Sequence, residues 1–336
     1  MAKFFEPTPE MKALLVQAGS NVEAESRAAN QELAVAVQTP LREGILNGDI
    51  TDGIFETFNI PAGPSSSVEW PLDLLSPGTE KDFVAYTIPN HGRIAEKHVE
   101  GDYVMIPTYE IGSSIDMLLK YAKNARWDVA GRAMEVLQGS FVKKINDDSW
   151  HTLLSAGVDR NILVFDADAN AGQFTKRLVS LMKTVMRRNG GGNSTSQNRS
   201  KLTDLYLSPE AMEDIRNWGI DQIDEQTRRE IWLAEDGSVN RIWGVNLHDL
   251  DEFGEGQEYQ LFYSNELLGG LPSGDVEIVV GLDRSKRDSF VMPITMPLEI
   301  FDDSASLHRQ RRMGWYGWTG FGLGVLDGRR VILGSI

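Results

Sequence analysis

From Trp127 onward, apolar residues recur at spacings of three or four: Trp127, Ala130, Met134, Leu137, Phe141 and Ile145. This period puts them on one face of an amphipathic helix. The pattern runs over residues 124–154, on the order of 45 Å of helix. Gly131 and Gly139 interrupt it, each at a cost of ~1 kcal/mol against Ala, and Gly157 is placed to stop it. A second repeat, Phe174, Leu178, Leu181, Met182 and Val185, predicts a helix over 173–188, with Arg187 and Arg188 suited to its C-terminal dipole. Beyond a flexible Gly/Asn/Ser stretch at 189–196, Asp204 to Leu207 reads as a strand. Ser208-Pro209-Glu210 is a helix cap opening 211–218. Further strands are expected at 241–247, 259–263 and 276–280.

The ends of the chain read differently. Thr8-Pro9-Glu10 can start a helix, but residues 8–37 are polar and alanine-rich. They hold little that could build a core, so they read as an arm in need of a neighbour, and deleting 1–37 is expected to leave a folded chain that is defective in assembly. Residues 60–110 are broken by six prolines and four glycines, with strand-like runs at 83–88 and 103–106. A two-stranded excursion of this kind is marginal alone and should lie on its own protein or on another. At the far end, 324–326 and 329–333 flank Asp327-Gly328, which suits a type I′ hairpin turn.

Composition narrows the function. The 336 residues are 41% hydrophobic and 24% charged, a globular balance with room for two lobes. A net charge of −16 opposes any protein that needs a broad basic face, though not a container for nucleic acid. No cysteine is present, which removes disulfides, thiolate catalysis and cysteine zinc sites. The N-terminus has no apolar run of signal-peptide length. The late apolar stretch at 313–326 carries five glycines and is too short to span a bilayer. A soluble cytoplasmic product is expected.

The candidate chemical motifs each have a simpler explanation. Asp166-Ala167-Asp168-Ala169-Asn170 begins like a calcium loop, yet its sixth and twelfth positions are Ala171 and Arg177 rather than Gly and Glu, so a turn before a helix is expected. Gly320-Phe321-Gly322-Leu323-Gly324 lacks the Lys-Ser/Thr of a phosphate loop and reads, with Trp315, Tyr316 and Trp318, as a packed strand. His91, His98, His151, His248 and His308 show no metal-ligand spacing, and His248-Asp249-Leu250-Asp251 reads as a solvated strand end. Adjacent carboxylates, Asp147-Asp148 and Asp302-Asp303, point apart and read as surface charges. Arg309, Arg311 and Arg312 form a basic cluster read as facing acidic neighbours at a subunit interface. No catalytic, metal or cofactor-binding residue is nominated, and no cofactor is expected.

The order of parts carries the strongest signal: an arm, a Pro/Gly-punctuated β excursion, one long helix, a mixed α/β region and a returning C-terminal strand pair. Local patterns join it. These are Trp127-Asp128-Val129 leading to Leu153-Leu154-Ser155-Ala156-Gly157, Leu205-Tyr206-Leu207 running into Ser208-Pro209-Glu210-Ala211, Val239-Asn240-Arg241-Ile242-Trp243-Gly244-Val245, and the stretch 311–336. Together they resemble the major capsid proteins of tailed bacteriophages with the Hong Kong 97-type fold, over nearly the whole chain. That resemblance implies an α+β capsid fold. Its parts would be an N-terminal arm (1–57), an extended β loop (58–110), a peripheral domain with the spine helix (111–159) completed by C-terminal strands (293–336), and an axial domain (160–292).

The same resemblance implies a structural protein, not an enzyme. It would self-assemble in the host bacterial cytoplasm as hexamers and pentamers into an icosahedral shell around double-stranded DNA held without sequence specificity, with no membrane partner. Scaffolding, portal and cement or decoration proteins are the implied partners. The arm starts directly, so the scaffold is expected to be a separate protein or the chain a processed form. Some family members cross-link an extended-loop lysine to an asparagine in a neighbour. Lys81 and Lys97 are available donors here, but no asparagine follows Asn265, Gln310 sits among arginines, and Glu299 is the only glutamate after 293. An uncross-linked shell is expected. The rival within the same architecture is an encapsulin-like nanocompartment. Outside it, an α/β hydrolase lacks a nominated nucleophile, and a decoration or tail protein does not account for the long helix.

Overall fold

A computed structural model describes residues 8–20, 22–47, 53–60, 67–72, 102–124, 126–170, 172–189, 200–218, 241–272, 274–285, 289–303 and 310–336. They form two compact units. The first comprises the described residues within 1–68, 105–149 and 291–324, and the second those within 69–104, 150–290 and 325–336. The runs at 83–88 and 189–196 lie outside the described residues, apart from Asn189.

The first unit is built on a sheet of order β1-β9-β10-β3-β2, comprising β1 (Glu56–Asn59), β2 (Ser67–Leu72), β3 (Asp102–Leu118), β9 (Phe290–Asp302) and β10 (Arg312–Gly322). β10 runs antiparallel to both β3 and β9, with its register shifting against β9 at Gly320, while β1 joins β9 in parallel. Alternation sorts the side chains: Met313, Trp315 and Gly317 of β10 are buried, Trp318 is exposed and Tyr316 half-buried. The buried face meets helix α4 (Trp127–Asp159). The Phe141 ring lies where a Cβ on Gly317 would fall, 3.3 Å away, and Ser140 Oγ donates to Ser113 Oγ at 2.8 Å. Of the aromatic residues expected to be buried under this helix, Phe141 is 2% exposed, whereas Trp127 at its first turn is only half-buried.

The arm folds onto its own chain. Helices α1 (Pro9–Ala18) and α2 (Glu23–Asn47) pack as a hairpin, with α1 also meeting α3 (Leu119–Lys123). Thr8 caps α1 by accepting from Met11 N. Leu15, Ala18, Leu33, Ala34, Val37 and Leu41 are all buried. Asn30 donates to Asp302, and Gln38 Nε2 donates to the Leu298 carbonyl at 3.0 Å. The expectation of an arm without a core of its own is therefore corrected. Gly19 sets the close approach, since a Cβ there would lie 2.6 Å from Lys123 N.

The second unit holds a sheet of order β4-β12-β8-β5-β7-β6. Its strands are β4 (Leu163–Phe165), β5 (Asp204–Leu207), β6 (Arg241–Ile242), β7 (Val245–Asp249), β8 (Ile278–Leu282) and β12 (Val331–Ser335). β5, β8 and β12 are buried along their whole length, as strands covered on both faces must be. Leu205, Leu207, Val279 and Ile332 join Leu178, Val179 and Met182 of α5 (Lys176–Asn189) and Met212 of α6 (Pro209–Asn217) in one core. Tyr206 points to the opposite face, where its ring meets Trp150 with centroids 4.8 Å apart, and Trp150 in turn meets Phe253 at 5.3 Å. Ser208 caps α6 by accepting from Ala211 N, as its sequence predicts.

Three expectations are overturned in this unit. The segment expected to be a strand at 259–263 is helical: α7 (Glu258–Leu261) passes into a π-turn at Phe262–Glu266. Tyr259 and Tyr263 lie four residues apart and are both buried, so the spacing is helical although the residue types favour strands. The C-terminal hairpin is absent. Short β11 (Gly324–Val325) pairs with β9, residues 328–330 make a 3-10 turn, and β12 pairs with β8 and β4. Asp327 accepts from Arg329 instead of turning a hairpin. Residues 325–336 thus belong with 150–290 rather than with 291–324. Finally, Gly157 does not end the long helix, which continues to Asp159. A Cβ on Gly157 would lie 2.7 Å from Leu333 Cγ.

Phe141→Ala is expected to cost about 3–5 kcal/mol, because a fully buried ring is removed from a packed helix–sheet junction. Urea unfolding of the two proteins measures it, and a change below about 1 kcal/mol would contradict this packing.

Candidate assembly surface

The face of the first sheet that points away from α4 carries exposed aromatic residues on neighbouring strands. Register sets their positions: Tyr316 of β10 lies opposite Phe301 of β9, and Trp318 lies between Glu299 of β9 and Gly112 of β3. The Phe301 and Tyr316 rings stack with centroids 5.4 Å apart, and Trp318 meets Tyr316 edge-on at 6.4 Å. Trp318 is seated on Gly112, where a Cβ would lie 3.0 Å from its ring. The glycine leaves room for the indole to lie flat on the neighbouring strand. Yet Phe301 remains 41% and Trp318 43% exposed. Aromatic pairs this close, left open to water, make a pre-ordered apolar patch of the kind that marks association.

Charges frame the patch. Arg312 Nη1 pairs with Asp116 at 2.7 Å across β10 and β3, and exposed Glu110, Ser114 and Glu299 complete the same face. Of the expected interface arginines, Arg312 therefore meets an acid of its own chain, Arg311 sits at a left-handed turn with φ 56°, and Arg309 lies outside the described residues. Gln310 and Glu299 are exposed, and Lys81 and Lys97 lie outside the described residues.

The remaining candidates are structural. Asp166 accepts from Thr175 Oγ1 at 2.7 Å, and Arg177 pairs with Asp168, which is a braced turn before α5. Among the described residues, no group of three or more His, Asp or Glu is arranged to hold a metal, and no helix is long and apolar enough to cross a membrane. The glycine run at 320–324 is the end of β10 and its exit, with a Cβ on Gly322 falling 2.6 Å from the Pro107 carbonyl. His151 stacks on Phe262 at 3.7 Å, while His91, His98 and His308 lie outside the described residues. Asp148 is not a free surface charge. It accepts from Tyr109 Oη at 2.7 Å and pairs with Lys144 at 2.8 Å, and burial together with this bond pushes the Tyr109 phenol far up. Asp302, likewise, receives Asn30.

His248 does find a carboxylate, though not the adjacent one. Its Nε2 lies 2.9 Å from Asp204 Oδ1, with Asn246 Nδ2 3.1 Å from the same oxygen. Burial raises the Asp204 carboxyl, but bonds from His248, Thr203 and Asn246 and the charge of Arg284 outweigh it and hold it at about 2. Sequence reasoning missed both this cluster and the exposed aromatic patch. The spacing of two between Tyr316 and Trp318 signals one face of β10, but which face α4 covers is a tertiary fact.

No protein-family model and no curated protein matches the sequence. Solved structures do match the fold. A chain from Microbacterium phage Oxtober96 is 10% identical with a TM-score of 0.58, over 86% of this chain and 90% of that one. A chain of the capsid structure of cyanophage P-SCSP1u is 12% identical with a TM-score of 0.54, over 85% and 88%. A chain of the cyanophage Pam1 capsid is 14% identical with a TM-score of 0.54, over 84% and 88%. The α+β capsid fold expected from the sequence is the fold of this chain.

Because the Asp204 carboxyl is depressed, its contribution is full above the unfolded value of about 3.9 and is lost as pH falls through about 2. Asp204→Asn is expected to flatten the acid limb of the stability curve by about 2 kcal/mol between about pH 4 and pH 2. Urea midpoints across that range check it, and an unchanged acid limb would count against the cluster.

Proposed function

We propose that the chain is the major shell-forming subunit of a bacteriophage capsid, a structural protein whose copies assemble as hexamers and pentamers into a closed icosahedral container for double-stranded DNA. The observation that carries the reading is the match of fold over most of the chain to chains of phage capsids, in a protein that presents an ordered aromatic patch to solvent. In this reading the first unit is the peripheral domain and the second the axial domain, with residues 325–336 assigned to the second. The aromatic patch is covered by another copy of the chain in the shell. Scaffolding and portal proteins act with it during assembly in the host cytoplasm.

Many modest contacts per subunit sum to a stable closed shell, so weakening one contact repeated in every copy has a large effect. Trp318→Ala is expected to leave the subunit folded, since the side chain lies on the open face of the sheet outside the core, and to abolish particle formation. Negative-stain electron microscopy and gel filtration of protein co-expressed with its scaffold read the result. A wild-type chain that stays monomeric there overturns the shell reading, and a variant that assembles normally overturns the role of the patch.

The shell is expected to be held without covalent links between subunits. The strands after Asn265 carry no asparagine, so they offer a lysine of a neighbouring copy no carboxamide of that kind to attack. Boiled particles on a denaturing gel should give one band near 37.4 kDa. A ladder of multiples would refute it.

A further inference from the structure

The second unit contains a groove of opposite character to the rest of the chain. It is an open cavity of about 870 Å³ between α5, the segment leading into β5 and the β6–β7 turn. Lys183, Arg187 and Arg188 line it from α5 and Lys201 from the facing segment; Ser180, Thr184 and Thr203 also line it, with the Thr184 and Thr203 hydroxyls donating to the Ser180 and Leu282 carbonyls. Arg187, Arg188 and Lys201 are exposed, and none has a carboxylate partner among the described residues. In a chain of net charge −16 this is a local inversion of sign. The helix C-terminus accounts for a preference for cations at Arg187 and Arg188. It does not account for Lys201 on another segment, nor for the indole at the rim.

That indole is Trp243. It occupies the first corner of the two-residue turn joining β6 to β7, with φ 47°, followed by Gly244 at φ 79°. Such turns favour Asn, Asp or Gly at this corner, and a bulky residue at positive φ is a genuine outlier. Burial does not offset the strain, because Trp243 is 41% exposed. Lys183 Nζ donates to the Trp243 carbonyl at 2.7 Å, tying the turn that carries the ring to α5. An aromatic held open at energetic cost next to cations that no described carboxylate pairs is the combination that binds a nucleic-acid strand: the cations take phosphate oxygens, and the ring gives a base a stacking surface.

We infer that the groove formed by Lys183, Arg187, Arg188, Lys201 and Trp243 binds the phosphate backbone of nucleic acid without sequence preference and favours unpaired over duplex strands. The inference rests on the groove alone and stands or falls independently of shell formation. Carboxylates of an acidic protein segment would meet the same cations but gain nothing from the indole.

Fluorescence anisotropy of the unassembled full chain tests it, with a labelled single-stranded oligonucleotide, the duplex of the same sequence, and polyglutamate as competitor. Salt-dependent binding of the single strand is expected, with weaker binding of the duplex and weak competition by polyglutamate. The double variant Arg187→Gln/Arg188→Gln, both at exposed positions, should weaken binding at least about tenfold and shallow the salt slope by about 0.7 per side chain. Trp243→Asn, which suits the turn better, should leave thermal stability equal or higher while weakening the single strand about tenfold and the duplex little. Absence of salt-dependent binding, or binding unchanged in the double variant, overturns the inference. Polyglutamate competing as well as DNA reassigns the groove to an acidic protein segment and overturns it equally.

Discussion

Strand β12 enters its sheet between β4 and β8 with every residue buried, and much of the second unit is arranged to admit it. Its residues alternate between two covered faces. Leu333 packs into the notch left by Gly157 on the long helix, and Gly334 lies where a Cβ would meet Met182 Sδ of α5 at 3.0 Å. A strand gripped from both sides leaves no room for error in register. The residues before it set that register. Arg330 and Asp283 form an ion pair at 2.7 Å with side chains 2% and 0% exposed. Burying such a pair gains little net stability, but losing one partner strands the other's charge. Asp283 also accepts from Lys201 N and Ser285 N, so the same carboxylate fixes the segment entering β5, the exit of β8 and the start of β12.

That constraint explains what the sequence could and could not disclose. The long helix, α5 and the Ser208-capped α6 were legible because each announces itself within one element, by period or by cap. The destination of the C-terminal strand was not. Asp327-Gly328 between two apolar runs is a good local hairpin signal, and it loses to the longer-range demand that Arg330 reach Asp283. Gly157 was read as a helix stop because the helix sequence holds no trace of Leu333, the residue that requires it to lack a side chain. At 259–263 the strand-favouring residue types masked a spacing of four between Tyr259 and Tyr263 that their burial obeys.

The arm was misread for a different reason. Its apolar content is small, with alanines and scattered Leu and Val, and looks inadequate for a core. Adequacy depends on the partner surface. Two alanine-rich helices can approach closely, and Gly19 lets α1 meet the backbone at Lys123. Leu15 and Leu33 are then fully enclosed. Polar residues help: Asn30 and Gln38 reach Asp302 and the Leu298 carbonyl on β9, bonds between residues more than 250 positions apart that no sequence period reveals.

With the arm satisfied within its own unit, the surface available for association shifts to the open face of the first sheet. β10 is apolar on both faces in sequence, Met313, Trp315 and Phe321 being buried and Trp318 exposed. Helix α4 can cover only one of them. A monomer that needed only to stay soluble would place polar residues on the uncovered face, and β3 does so with Glu110, Ser114 and Asp116. The adjoining β10 and, beyond it, β9 carry Tyr316, Trp318 and Phe301 instead, with Phe301 stacked on Tyr316 and Trp318 seated on Gly112. Because the rings are held in place before any partner arrives, contact with a second surface orders few side chains and loses little entropy.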